Sequence, residues 1–155
     1  MPNRRQFIRN TAKASAAVYI AGMGFSAKSY GRIIGANDRV RVGAIGFSDR
    51  FRQALYPSFS NHYKELNFDI VAVSDLWSKR REEGVAFLKE KMGHDVSGYR
   101  NNEELYASKT VDAVFVATSD FQHALHAIEA VKAGCDAYVE KPFAETMEDN
   151  RAALK

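Results

Sequence analysis

Four short apolar runs, each leading into a helix-like stretch, constrain this chain more than any other feature. They are Val40 to Gly46, Phe68 to Asp75, Ala113 to Ala117 and Ala137-Tyr138-Val139. Several are continuous rather than alternating, which suits strands covered on both faces, as in a parallel sheet with crossover helices. The helical stretches between them run from Ser48 to Tyr56, stopped by Pro57, from Ser78 to Met92, stopped by Gly93, and from Asp120 to Ala133, stopped by Gly134. Residues 58–67 read as an irregular connection, and 97–110 are ambiguous, compatible with a short strand near Tyr99 and a helix over Asn102–Ala107. In the Asp120–Ala133 helix, Phe121, Leu125, Ile128 and Val131 form the expected core stripe. Thr146 and Asp149 read as a capping box that opens a last helix. The strand–helix alternation predicts an α/β fold, a doubly wound parallel sheet in three αβα layers.

Charge narrows the partners. The formal charge is +3, but residues 1–29 hold Arg4, Arg5, Arg9, Lys13, Lys28 and no acid. Of the 22 basic residues 17 remain beyond them, against 19 acids, a net of −2. The basic balance is therefore terminal, with no stripe for nucleic acid. Cys135 is the single cysteine, so an intrachain disulfide is impossible. No apolar run reaches the ~18 residues of a membrane-spanning helix.

The first 29 residues read as an address. Adjacent arginines precede Phe7-Ile8, a mildly apolar stretch covers Ala14 to Phe25, and Ser26-Ala27-Lys28-Ser29 supplies small residues. A charged start, a short apolar centre and a small-residue end define an export signal. The Arg4-Arg5-Gln6-Phe7-Ile8 segment resembles a twin-arginine (Tat) signal, which implies the Tat machinery as partner and a periplasmic or envelope location. Residues 30–37 are the expected linker, and 38–155 the domain.

The chemistry is expected at the carboxyl ends of the strands, where open α/β sheets bind ligands. After strand one, a G-x-G-x-x-G turn counted from Gly46 meets Ser48 at its second position and Phe51 at its third. Ser48 can cap the helix, and Phe51 is expected to push that helix outward or turn its ring away. Asp75 ends strand two, where an acid bonds the adenosine ribose or simply caps a turn. Thr118-Ser119-Asp120 can bond a nicotinamide ribose or cap the next helix. His123 and His126 share a helix face, but no cysteine or acid cluster completes a metal site. Of the two, His123 is expected to line the cleft, with His126 packed or solvated. Glu140-Lys141-Pro142 follows the last strand, and a lysine there can act as acid, base or donor, or remain a solvated surface residue.

Together Val42-Gly43-Ala44-Ile45-Gly46, Val71 to Asp75, Val114 to Asp120 with His123, and Tyr138-Val139-Glu140-Lys141-Pro142 resemble the Gfo/Idh/MocA family. The resemblance implies a Rossmann-like domain and an NAD-dependent oxidoreductase acting on a sugar or polyol, with NADP the alternative because Lys79, Arg80 and Arg81 follow Asp75. It implies Lys141 as the catalytic residue. Gly46, Phe47, Ser48, Asp75, Thr118, Asp120, His123, Glu140 and Pro142 become cofactor-cleft residues. It also implies a C-terminal domain carrying most substrate contacts and a route to homo-oligomers, so the chain is expected to be truncated before a sixth strand and that domain. Some relatives use NAD to cleave glycosidic bonds, and a non-catalytic dinucleotide-binding module is a third reading.

Overall fold

The computed structural model describes residues 39–155. The expected signal segment 1–29 and linker 30–37 lie outside the described residues. Five strands form one all-parallel sheet: β1 Val40–Ile45, β2 Phe68–Ser74, β3 Ser97–Tyr99, β4 Ala113–Val116 and β5 Asp136–Val139. Their spatial order is β3-β2-β1-β4-β5. The chain therefore leaves β1 toward one edge, then returns to pair β4 on the other side of β1. That reversal between β1 and β4 is the topological switch point at which doubly wound sheets open a crevice.

The connections supply the outer layers. Helix α1 is a π-helical stretch, Phe51–Leu55, that runs straight into an α-helical turn, Tyr56–Ser60. Helix α2 is Ser78–Met92, α3 is Asn102–Ala107, α4 is His123–Lys132 after a 3-10 turn at Asp120–Gln122, and α5 is Met147–Ala153. Phe51 of α1 and Leu88 of α2 share one apolar cluster with Phe47, Ile70 and Phe115, whereas Leu105 of α3 and Ala130 of α4 share another with Ile45 and Val114. Two cores on two faces make the sheet doubly wound. Gly93 ends α2 at φ 77°, and Thr146 caps α5 by accepting the Asp149 N–H.

Two local expectations are corrected. Pro57 does not stop α1; the helix continues to Ser60, and the turn occupies 61–67. Proline offends a helix by removing an N–H and crowding the preceding turn. Here that preceding turn is already π-wound, with the Tyr56 N–H bonded to the Phe51 carbonyl, and Ser58 Oγ donates to the Ala54 carbonyl at 2.8 Å. The second correction concerns α4 and its leading turn. Phe121, Leu125 and Val131 are 64, 52 and 68% exposed, while His123, Ala124, Ala127 and Ala130 face the sheet. Both stripes repeat at helical spacing, so periodicity cannot choose between them. The small residues win because they let α4 lie close on β4 and β5.

Candidate dinucleotide-binding site

The site is built on the turn after β1. Gly46 has φ 81°, and a Cβ there would stand 2.8 Å from Thr118 Cγ2 and 3.0 Å from the Ala117 carbonyl oxygen. Only glycine fits both that backbone and that approach to β4. Its N–H donates to the Ser74 carbonyl at 2.8 Å, tying the turn to β2. The next N–H, of Phe47, donates to Asp75 Oδ2 at 2.9 Å, and the Trp77 N–H donates to Asp75 Oδ1 at 2.9 Å. Both carboxylate oxygens are thus oriented by backbone amides at the end of β2.

Ser48 opens α1. Its hydroxyl accepts the Phe51 N–H at 3.2 Å and its carbonyl accepts the Arg52 N–H at 3.0 Å. A serine at the second motif position therefore caps the helix whose N-terminus points at the crevice. Phe51 does not push the helix outward. It is fully buried, 5.8 Å from the Phe47 ring and 6.3 Å from Phe115 by ring centroids. The Phe47 ring is also core, 1% exposed, so its cofactor-facing part is the backbone rather than the phenyl.

A crevice of about 660 Å³ lies over this turn. Gly46, Phe47, Ser48, Asp75 and Thr118 line it, together with residues that, Arg80 and His126 apart, the sequence had not marked. Leu76, Trp77 and Arg80 form its outer lip, and Asn101, Asn102, Gln122, His126 and Glu129 its second wall. That wall is a hydrogen-bonded network. Ser74 Oγ donates to Asn102 Oδ1 at 2.8 Å, Asn102 Nδ2 donates to Glu129 Oε2 at 2.9 Å, and Thr118 Oγ1 lies 3.0 Å from His126 Nδ1. Burial pushes the His126 ring below its ordinary pKa against the opposing pull of Glu129, which favours the neutral imidazole. Asn102 comes from α3 and His126 and Glu129 from α4, and only the fold brings them beside β1.

The remaining candidates sit elsewhere. Asp120 is exposed in the 3-10 turn. The two histidines exchange the expected positions: His126 lines the crevice, and His123 is 1% exposed beneath the loop after β5. His123 Nδ1 lies 2.7 Å from the Pro142 carbonyl oxygen and Nε2 3.2 Å from that of Thr118. Glu140, Lys141 and Pro142 lie outside the crevice wall, on that same loop, and the Lys141–Pro142 bond is cis. The Glu140 carboxylate is buried and accepts from Arg50 Nε at 2.7 Å. Arg50 and, to a lesser degree, the Lys141 N–H hold that carboxyl below the ordinary carboxylate range. Lys141 itself is exposed. Among the described residues no cluster of metal-ligating side chains occurs.

The donor set fits a dinucleotide. The glycine leaves room for the pyrophosphate, the capped α1 terminus favours its charge, and the aligned Asp75 carboxylate suits a ribose diol. Asp49, an acid facing the same space, is offset by Arg52 at 3.1 Å and Arg80 at 3.2 Å. Fold and crevice define a dinucleotide-binding Rossmann domain. Residues 40–155 match the oxidoreductase family with an NAD-binding Rossmann fold, Gfo/Idh/MocA, and the chain belongs to that family.

Among curated relatives, the chain is 36% identical over 80 residues to a 1,5-anhydro-D-fructose reductase of Ensifer adhaerens, covering 51% of this chain and 23% of that protein. It is 28% identical over 141 residues to glycosyl hydrolase family 109 protein 2 of Akkermansia muciniphila, covering 88% of this chain and 27% of that protein. Thus the chain spans roughly a quarter of these relatives' length. Among solved structures, it resembles the WlbA dehydrogenase of Chromobacterium violaceum, in complex with NADH and UDP-GlcNAcA, with a TM-score of 0.65 at 20% identity, covering 77% of this chain and 32% of that one. It also resembles myo-inositol 2-dehydrogenase of Lactobacillus plantarum, with a TM-score of 0.58 at 21% identity, covering 76% and 32%. These two likenesses bear on the fold.

Proposed function

We propose that this chain is the NAD-binding N-terminal part of an exported oxidoreductase that transfers hydride to or from a sugar or polyol. The observation that carries the reading is the Asp75 carboxylate, aligned by the Phe47 and Trp77 amides beside the Gly46 turn. It favours NAD over NADP, because an acid at the ribose repels a 2′-phosphate. Two of the cations that follow Asp75 are engaged by other groups. Arg80 is engaged by Asp49 and Glu83 at 3.2 and 3.5 Å, and Arg81 donates to the Asp75 carbonyl at 2.8 Å.

Bound NAD supplies the hydride acceptor or donor. The Gly46–Ser48 turn holds the pyrophosphate and Asp75 the adenosine ribose. The Thr118 hydroxyl, held by His126, faces the same crevice and suits the other ribose. Lys141, at the carboxyl end of β5, holds the substrate oxygen and moves its proton as the carbon–hydrogen bond is made or broken. Export by the twin-arginine route is supported by Arg4-Arg5-Gln6-Phe7-Ile8 and its small-residue sequel.

The test is turnover of the full-length protein that contains this chain, with NAD against a panel of sugars and polyols, followed by NADH absorbance, beside Lys141→Met; residues 30–155 alone are expected to show no turnover. Substrate-dependent NADH formation that this substitution abolishes is expected; equal rates for both proteins would overturn the role of Lys141. The match to the Akkermansia muciniphila hydrolase across 88% of the chain supports a second reading, an NAD-dependent glycosidase. Glycoside cleavage with retained cofactor and no net NADH would establish it. Calorimetry that detects no NAD binding to folded protein would leave a non-catalytic module.

A further inference from the structure

Lys141 follows an edge strand, and its side chain is exposed, yet its backbone is fixed from both faces of the sheet. On the α1 face, Arg50 donates to Glu140 through Nε at 2.7 Å and through a terminal nitrogen at 3.3 Å. The other function of that carboxylate is to accept the Lys141 N–H at 3.0 Å. On the α4 face, the buried His123 ring lies 2.7 Å from the Pro142 carbonyl oxygen. The Glu140 N–H closes the third side by donating to the Val116 carbonyl at 3.0 Å.

We propose that Arg50 and His123 are positioning residues for Lys141: Arg50 fixes the Glu140 carboxylate that accepts the Lys141 N–H, and His123 lies against the carbonyl of the next residue, Pro142. The inference rests on the reading of Lys141 as the group that handles the substrate proton. Its physical content is simple. A lysine has four rotatable side-chain bonds, so its ammonium can be placed only as well as its Cα is placed. The two grips start from either side of the crevice floor, one beside the Gly46 turn and the other at the end of β4. Arg50 lies two residues beyond Ser48, and the second His123 nitrogen faces the Thr118 carbonyl at 3.2 Å. The lysine is thereby referenced to the floor on which the dinucleotide sits. Arg50 is half exposed, whereas its partner Glu140 is buried, so removing the guanidinium leaves a carboxylate with only the Lys141 amide and charge to hold it.

The experiment compares the full-length protein that contains this chain with its Arg50→Met, Arg50→Lys, His123→Gln and Lys141→Met variants in two measurements. The first follows the Lys141 amide in 1H–15N spectra as pH is lowered, reporting protonation of Glu140. Arg50→Met is expected to move that midpoint upward and Arg50→Lys to restore part of the displacement. A change in fold stability alone would not move it. The second measures kcat with NAD and the best sugar or polyol of the panel, alongside NADH affinity by fluorescence. Misplacing a reacting group by about 1 Å costs on the order of a hundredfold in rate, so Arg50→Met and His123→Gln are expected to lose ten- to a hundredfold in kcat while NADH binds as before. An unmoved Lys141 amide in Arg50→Met, an unchanged kcat, or a parallel loss of NADH affinity would each overturn the proposal. Full activity of Lys141→Met would instead remove the catalytic reading beneath it.

Discussion

Gly84 is the most sensitive single position for testing how the core supports the cofactor turn. It lies mid-helix in α2, where alanine ought to gain about 1 kcal/mol in helix propensity. A Cβ there, however, would stand 2.7 Å from Phe47 Cγ, 2.9 Å from Cδ2 and 3.1 Å from Cβ. Ordinary carbon contacts begin near 3.5 Å, so ring and helix must separate by up to about 1 Å. The ring has nowhere to go. It is 1% exposed, with the Phe51 and Phe87 ring centroids at 5.8 and 5.6 Å. Overpacking of this kind costs about 1–3 kcal/mol, and the close approach to several ring atoms places Gly84→Ala toward the top of that range. Against the propensity gain, the expected net loss is about 1–2 kcal/mol. Urea denaturation, with fixed m, reads it as a lower midpoint. Because the Phe47 N–H holds Asp75, NADH affinity should fall with it, and Phe47→Leu in the Gly84→Ala background should recover stability. A midpoint equal to or above wild type, with NADH affinity intact, would refute the claim that Gly84 is glycine to admit Phe47.

Three further outcomes are expected. Asp75→Ala removes the acceptor for two backbone amides and the proposed ribose partner; it should weaken NADH binding by on the order of ten- to a hundredfold in a fluorescence titration, and unchanged affinity would place the ribose elsewhere. His94 has a raised pKa, chiefly because its ring bonds the Asp95 carbonyl, with Asp69 Oδ1 3.0 Å from Nε2 adding to it and Arg39 opposing. A raised pKa means that folding favours the charged ring. That stability is present in full below the ordinary histidine pKa and disappears as pH rises through the folded value. His94→Gln should therefore destabilise the protein in mildly acidic urea titrations and cost little in mildly alkaline ones; the reverse order would refute the assignment. Finally, Arg4→Lys with Arg5→Lys should hold the precursor in the cytoplasmic fraction, and unaltered export would exclude the twin-arginine route.

Much of the architecture is legible without coordinates because backbone preferences act locally. The helix Ser78–Met92, its left-handed stop at Gly93, the helix Asn102–Ala107 and the cap at Thr146 all follow from residues within a few positions of each other. The continuous apolar runs required burial on both faces, and the sheet is indeed parallel throughout. Gly46 and Asp75 were recognisable because each occupies a motif position defined by its own strand end.

What the tertiary structure decided were the matters that depend on distance between elements. The stripe of α4 that meets the sheet is the alanine one, since helix and strand separation, not periodicity, selects between two equally spaced faces. Phe51 enters the core because the Phe47 and Phe115 rings offer it an aromatic space that no local pattern reveals. The same holds for the histidines. Their three-residue spacing put both on one face, but only the packing of α4 under the loop after β5 buries His123 and leaves His126 in the crevice. Arg50 and Glu140 are ninety residues apart in the chain and 2.7 Å apart in space. Short-range preferences write the elements, whereas shape and charge across the switch point between β1 and β4 determine which side chains meet.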